Sequence, residues 1–296
     1  MKITAKEVYR SILRILPTKP ALYLIYFRGY KKLLNLRNPK YYGEKIQWLK
    51  LYGGLEELGD FVDKYEVRKY VAEKIGEEHL IPVLGVYDSV DQVDFGSLPE
   101  KFVLKCTNGS QSVLICKDKA NFDVEFAKKE MKKWLDDDFY KMKKEPQYKN
   151  VRNRILIEKY MEDDSGELRD YKFYCFEGKP SWYAIFSGRF SDKTVDSYTI
   201  DGTFLPDCKN GGPNVKPSKN PLPKLDNLEE FVSLCEKLAE PFTCVRVDFY
   251  MINGQIYFGE LTFTDGAGSE PILPLDKYDV TFAEKVPLRR MYTPEK

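Results

Sequence analysis

Four residues near the C-terminal end have types and spacing suited to phosphate or metal chemistry. In "RVDFYMINGQIYFGELT" (246–262), Arg246 and Asp248 stand two apart, as do Glu260 and Thr262, on either side of the turn signal Asn253-Gly254. Whether the carboxylates meet depends on register. A plain two-residue turn would set Asp248 against Gly259 and Glu260 against Val247, forcing Glu260 onto the apolar face. A shift of one, through an odd loop or a G1-type bulge at Gly254, sets Asp248 opposite Glu260 and Arg246 opposite Thr262. Val245, Val247 and Phe249 then share the other face with Leu261 and Phe263, so the hydrophobic pattern selects this register. Opposed carboxylates repel unless a cation lies between them. Oxygen ligands with room for phosphates and water suit Mg²⁺. Arg246 can neutralise charge on a transferred phosphoryl group. The competing reading is an exposed hairpin face with Arg246 in surface ion pairs.

A second group lies upstream. "FVLKCTNGSQSV" sets Lys105 at the end of an apolar strand, before a loop of small polar residues whose N–H groups can approach phosphate oxygens. No Walker A pattern occurs. The single histidine, His79, falls at an expected helix-to-strand junction, where a structural role is expected. A histidine-rich zinc site and an H-E-x-x-H metalloprotease are excluded. Chemistry must lean on carboxylates, lysines and arginines. Six cysteines without C-x-x-C spacing, and no secretory signal, read as reduced core thiols of a cytoplasmic protein.

The elements that must hold these groups read as α+β with antiparallel sheets. Helical spacing marks 5–16, 43–54, a long stretch 63–80, 123–140 and 228–241. Strands are expected at 81–89, on both sides of a polar Gly/Ser loop within 98–119, at 154–161, and in two hairpins at Glu177-Gly178 and Asn253-Gly254. Residues 206–225, with five prolines and two consecutive glycines, form a long loop suited to a lid or binding element. In "TDGAGSEP" (264–271), Asp265 or Glu270 can hold an amine, with a plain turn as the alternative. Residues 1–50 carry 12 Lys/Arg against 2 Asp/Glu, a net of +10, and the remainder a net of −9. That asymmetry suggests an anionic contact, at a membrane surface or a lipid-linked polymer, against the alternative of solvated helices. Nothing accompanies it that marks a nucleic-acid binder.

In order, "GEKIQWLKLY", "DKYEVRKYV", "LIPVLGVYDS", "LPEKFVLKCTNGS", "DYKFYCFEGKP" and "VRVDFY…GELTF" resemble the ATP-grasp superfamily, and within it the TupA-like proteins, named for teichuronopeptide biosynthesis. The resemblance implies an ATP-grasp fold, in which two α+β lobes sandwich ATP between antiparallel sheets. It divides the chain into a basic helical segment (1–58), a lobe carrying the phosphate loop (59–160) and a lobe carrying the metal site (161–296). Lys64 and Lys105 look like the phosphate lysines, with Asn108, Gly109 and Ser110 in the closing loop. Glu158 resembles the carboxylate near the adenine amino group, with Lys159, Tyr160 and Met161 supplying backbone contacts. Asp170 and Lys172 resemble ribose and phosphate contacts, and Arg189 can reach the transferred phosphate or the acceptor. Asp248, Glu260 and Thr262 look like the ligands of Mg²⁺, two ions by the resemblance, with Arg246 as the stabiliser. Thr262 departs from the common superfamily pattern, which has asparagine there. The implied activity is an ATP-dependent carboxylate–amine ligase working through an acyl phosphate, on a uronic-acid or peptide part of a cell-surface polysaccharide. A kinase of the same fold and a non-catalytic nucleotide-binding scaffold are the alternatives.

Overall fold

The computed structural model describes residues 4–294 except 167, 189–191, 213, 214 and 223, and leaves out the Lys6 side chain. Its strands are β1 (Val83–Tyr87), β2 (Phe102–Cys106), β3 (Val113–Cys116), β4 (Ile155–Lys159), β5 (Asp170–Phe176), β6 (Lys179–Ser187), β7 (Thr194–Thr199), β8 (Cys244–Ile252) and β9 (Gln255–Thr262). They form a four-stranded sheet, order β1-β4-β2-β3, and a five-stranded sheet, order β7-β6-β5-β8-β9. Every named strand pair is antiparallel. The helices are α1 (Ala5–Ile15), α2 (Thr18–Tyr30), α3 (Tyr42–Tyr52), α4 (Gly59–Val62), α5 (Val67–Ile75), α6 (Val124–Asp136), α7 (Phe139–Lys143), α8 (Leu228–Ala239) and α9 (Val280–Glu284). The α+β expectation holds.

Two expected helices are broken, each for a local reason. The stretch 63–80 is α-helical only over α5, with a 3₁₀ turn at Glu77–His79. Asp63 Oδ1 accepts from the N–H groups of Tyr65 and Glu66, at 2.8 and 3.0 Å, which is start-cap geometry. Gly76, at φ 104°, ends it. The stretch 123–140 divides because Asp138 caps a second helix, accepting from Lys141 N–H at 3.1 Å. Strand β7 was not foreseen. Its apolar positions are few, and it is held by β6 on one side.

Helix α8 packs Phe231 on the five-stranded sheet, stacked with Tyr171 and Phe173 at centroid separations of 5.2 Å each. The same core draws in Ile46 and Leu49 of α3 and Val67, Val71 and Ile75 of α5, and α5 also meets α8, the Tyr70 hydroxyl donating to the Leu238 carbonyl at 2.9 Å. The helical stretch before residue 76 thus packs with the larger lobe, although the phosphate loop follows it in sequence. A smaller core joins α6, through Ala127 and Met131, to Phe102, Leu104, Ile155 and Ile157 of the four-stranded sheet. A third unites α1 and α2 around Leu13, Leu22, Ile25 and Tyr26.

The register of the β8–β9 hairpin is the one its hydrophobic pattern selects. Asp248 pairs with Glu260, and Arg246 with Thr262. The shift does not arise at Gly254, however. Ile252 pairs with Gln255 around a two-residue turn, Asn253 and Gly254 having φ of 50° and 83°. The extra residue is Gly259, since Asp248 faces Glu260 while Phe249 faces Phe258. A Cβ on Gly259 would come within 3.0 Å of the Asp248 carbonyl oxygen, so the bulge favours glycine.

Candidate functional site

The cation between the carboxylates belongs to the protein. Arg246 donates through Nε to Asp248 Oδ1 at 2.6 Å and through Nη2 to Asp248 Oδ2 at 2.8 Å. The same Nη2 reaches Glu260 Oε1 at 3.3 Å and Thr262 Oγ1 at 3.1 Å. Its Nη1 donates to Asp265, whose other oxygen accepts from the Tyr174 hydroxyl at 3.1 Å. Lys172, opposite Asp248 on β5, donates to the same carboxylate. Burial pushes the Asp248 carboxyl up, but Arg246 and Lys172 outweigh it and hold it below the ordinary range. This side chain is therefore ionised and fully occupied. Thr262 both accepts from Arg246 and donates to Glu260, at 3.2 Å, so its hydroxyl steadies the carboxylate.

Across the cleft, Lys105 on β2 donates to Glu158 Oε2 on β4 at 2.5 Å. Register explains the pair: Lys105 faces Leu156 and Glu158 faces Val103, a diagonal on one sheet face. Lys64 donates to the Gly109 carbonyl at 2.5 Å, and its own N–H to the Thr107 carbonyl at 3.0 Å. Burial pulls the Lys64 ammonium down, with Glu260 opposing. Lys64 thus braces the small-residue loop, with the Glu260 carboxylate favouring its charge from the hairpin. Gly109, at φ 74°, turns that loop, and a Cβ there would meet the Phe139 ring. Asn108 points elsewhere, its amide donating to the Val151 carbonyl and to Asn153.

Two cavities follow from this arrangement. One of about 390 Å³ is walled by Ile81, Val103, Ile115, Lys105, Glu158 and the 159–161 segment, a mainly apolar slot suited to a planar base. The other, about 480 Å³, is lined by Arg246, Lys172, Glu260, Thr262, Asp170 and Ser110. Arg189 lies outside the described residues.

Sequence reasoning missed the wall of the second cavity. Buried Glu145 accepts from the Thr264 hydroxyl, which itself accepts from Gln147 at 2.7 Å. Lys50 of α3 donates to the Ala267 carbonyl at 2.7 Å, and burial lowers its ammonium to about 8. Burial raises the Glu145 carboxyl, with Lys50 opposing. Nothing periodic in "EPQY" signals this, and Lys50 reads as a polar position of a short helix. Asp265, weighed as an amine contact, is instead taken up by Arg246 and Tyr174.

A family model described as TupA-like ATPgrasp matches residues 44–286. The chain belongs to the TupA-like ATP-grasp family. No curated protein matches it. Among solved structures it is similar to D-cycloserine synthetase DcsG, at 18% identity over 76% of this chain and 69% of that one, TM-score 0.40. It is also similar to D-alanine–D-alanine ligase from Bacillus anthracis, at 17% identity over 80% and 68%, TM-score 0.45. A third is L-amino acid ligase from Bacillus licheniformis, at 12% identity over 71% and 42%, TM-score 0.40. In this TupA-like ATP-grasp chain the two antiparallel sheets are the two lobes of the ATP-grasp fold, preceded by a helical N-terminal segment.

ATP-grasp proteins use ATP with Mg²⁺, and the residues present fit such an ion in a particular way. Among the described residues no three acidic, histidine or cysteine side chains form a ready-made cage. Mg²⁺ is commonly held by one or two carboxylates together with phosphates and water. Glu260, with its side chain 42% exposed toward the cavity, meets that need. Asp248 joins only if Lys172 turns away from it toward a phosphate.

Proposed function

We propose that this ATP-grasp chain is a carboxylate–amine ligase whose product carries a new amide. The observation that carries the reading is Arg246, fixed by Asp248, Glu260, Thr262 and Asp265 at the floor of the 480 Å³ cavity. A guanidinium held this rigidly is preorganised for charge that develops on a reacting oxygen. In the reading, the adenine occupies the apolar slot beside Glu158, with backbone groups of Lys159, Tyr160 and Met161 at its edge and Asp170 near the ribose. Lys64, Lys105, Lys172 and the N–H groups of Gly109 and Ser110 hold the phosphates, with Asn108 bracing the loop.

An oxygen of the acid substrate attacks the γ-phosphorus, and the bond to ADP breaks. The amine then attacks the acyl carbon, and phosphate leaves with the former carboxyl oxygen. Arg246 stabilises the charge in both steps. Mg²⁺, held by Glu260 with Asp248 and Thr262 as further candidates, would supply charge neutralisation on the phosphates. Glu270 lines the cavity, and burial followed by Asp265 raises its carboxyl, which suits it to take a proton from the attacking amine. Likeness to the TupA-like family supports an acid on a cell-surface polysaccharide as substrate, and a place at the inner face of the membrane.

Phosphorus NMR with Mg-ATP, an amino-acid mixture and a sugar-acid extract tests this. We expect acceptor-dependent ADP and free phosphate, abolished in Lys105→Ala and Glu260→Ala. A new phosphoester resonance with little free phosphate would make the chain a kinase. No acceptor-dependent turnover would leave a nucleotide-binding scaffold.

A further inference from the structure

A larger cavity, about 690 Å³, lies between α1, α2 and the 267–275 segment. It shares Lys143, Ala267 and Glu270 with the reaction cavity, so the two are neighbours across one thin wall. Its lining divides by chemistry. Leu13, Ile25, Pro271, Leu273 and Leu275 supply an apolar bed. Arg10, Arg28 and Lys31 supply cations, with Arg28 lying 4.2 Å from the Tyr9 ring centroid. A ligand matching both parts has an apolar body and an anionic group.

The outer faces of the same helices add a second observation. Of eleven exposed large hydrophobic side chains among the described residues, six fall on residues 8–33: Val8, Ile12, Ile15, Tyr23, Phe27 and Leu33. Val8, Ile12 and Ile15 recur at the 4- and 3-residue spacing that puts them on one face of α1. The first 50 residues carry a net of +10. Exposed apolar groups among basic ones are the composition of an element that rests in a bilayer interface. Among the described residues no helix is long and apolar enough to cross one.

We propose that α1 and α2 rest on an anionic membrane surface and that the 690 Å³ cavity takes the acid substrate as an anionic, lipid-anchored molecule. The anionic group sits at Arg10, Arg28 and Lys31, the start of the lipid on the apolar bed, and the reacting carboxyl group passes the Ala267–Glu270 wall toward Arg246. The substrate's role rests on the ligase reading; the binding does not, and it is tested without ATP.

The full chain is floated with vesicles of phosphatidylcholine alone and of phosphatidylcholine with phosphatidylglycerol. We expect retention on the anionic vesicles only, weakened about tenfold in Arg10→Glu, since a reversal removes an attraction of about 1 kcal/mol per basic residue and adds repulsion. Ile12→Glu/Ile15→Glu, both at exposed positions, should abolish retention while leaving the helical circular dichroism unchanged. Hydrogen exchange with monomeric dodecyl phosphate then tests the cavity: amides of α1, α2 and 267–275 should slow. Failure to bind either vesicle would overturn the membrane surface. Vesicle binding with unaltered exchange at 267–275, or equal protection by inorganic phosphate, would overturn the lipid-binding cavity.

Discussion

Arg246 touches four oxygen-bearing side chains, so its replacement separates charge from geometry. Lysine keeps the charge but cannot span Asp248, Glu260, Thr262 and Asp265 at once. Arg246→Lys should lower kcat about 100-fold, the usual loss for a preorganised donor. A coupled ADP-release assay measures this, with circular dichroism to confirm the fold; an unchanged kcat would remove Arg246 from the chemistry. Much of this pairing was legible, because the alternation of Val245, Val247 and Phe249 permits one register. Its device was not. Gly259 sits inside "IYFGELT", which reads as continuous strand, and only the opposing backbone shows that it is the added residue. Asn108 was read as part of the loop that meets phosphate, but its amide is spent on Val151 and Asn153, residues about 45 positions away that local spacing cannot reveal.

At the scale of elements, Asp279 joins three segments. Its carboxylate accepts from the Tyr42 N–H of α3 at 2.7 Å, the Tyr30 hydroxyl of α2 at 2.8 Å and the Ile272 N–H at 2.9 Å. Burial nonetheless raises the carboxyl to about 6. A carboxyl raised on folding adds stability that is full below its unfolded value, about 3.9, and is lost as pH rises through about 6. Urea unfolding of the natural chain and Asp279→Asn should therefore show the natural chain's advantage shrinking between about pH 4 and pH 6. A constant difference would mean that Asp279 stays ionised throughout. Helices α1, α3 and α8 and both hairpins were legible from periodicity and turn residues. The stop at Gly76 was also legible, as a glycine near the end of the run, and Asp63 as a possible cap; the break at Asp138 was less so, since a cap inside a long amphipathic run resembles an exposed polar position.

For the whole molecule, nucleotide between two lobes couples binding to stability. At 100 times its Kd, Mg-ATP should stabilise the chain by about 2.7 kcal/mol, provided that it binds only the folded state. Differential scanning fluorimetry should show the midpoint rising with Mg-ATP, and the rise should be smaller in Lys105→Ala. Equal shifts would place the phosphates away from Lys105. The order of strands and lysines along the chain made the fold readable through its family likeness. The influence of Lys50 on Glu145 and the 690 Å³ cavity were not readable, because each joins residues more than 90 positions apart.

The larger core has a kinetic side as well. Ile46, Leu49, Val67 and Val71 pack with Tyr171, Phe173, Phe231 and Val247, so the chain between them must close as a loop before those contacts form. Closing a long loop costs entropy before the apolar burial repays it. Contacts of such separation slow folding, and they do so wherever the core is assembled last. The four-stranded sheet, whose strands lie within that loop, can form on its own earlier schedule. The surface proposed to hold the nucleotide base would then be finished first, waiting for the half that carries Arg246.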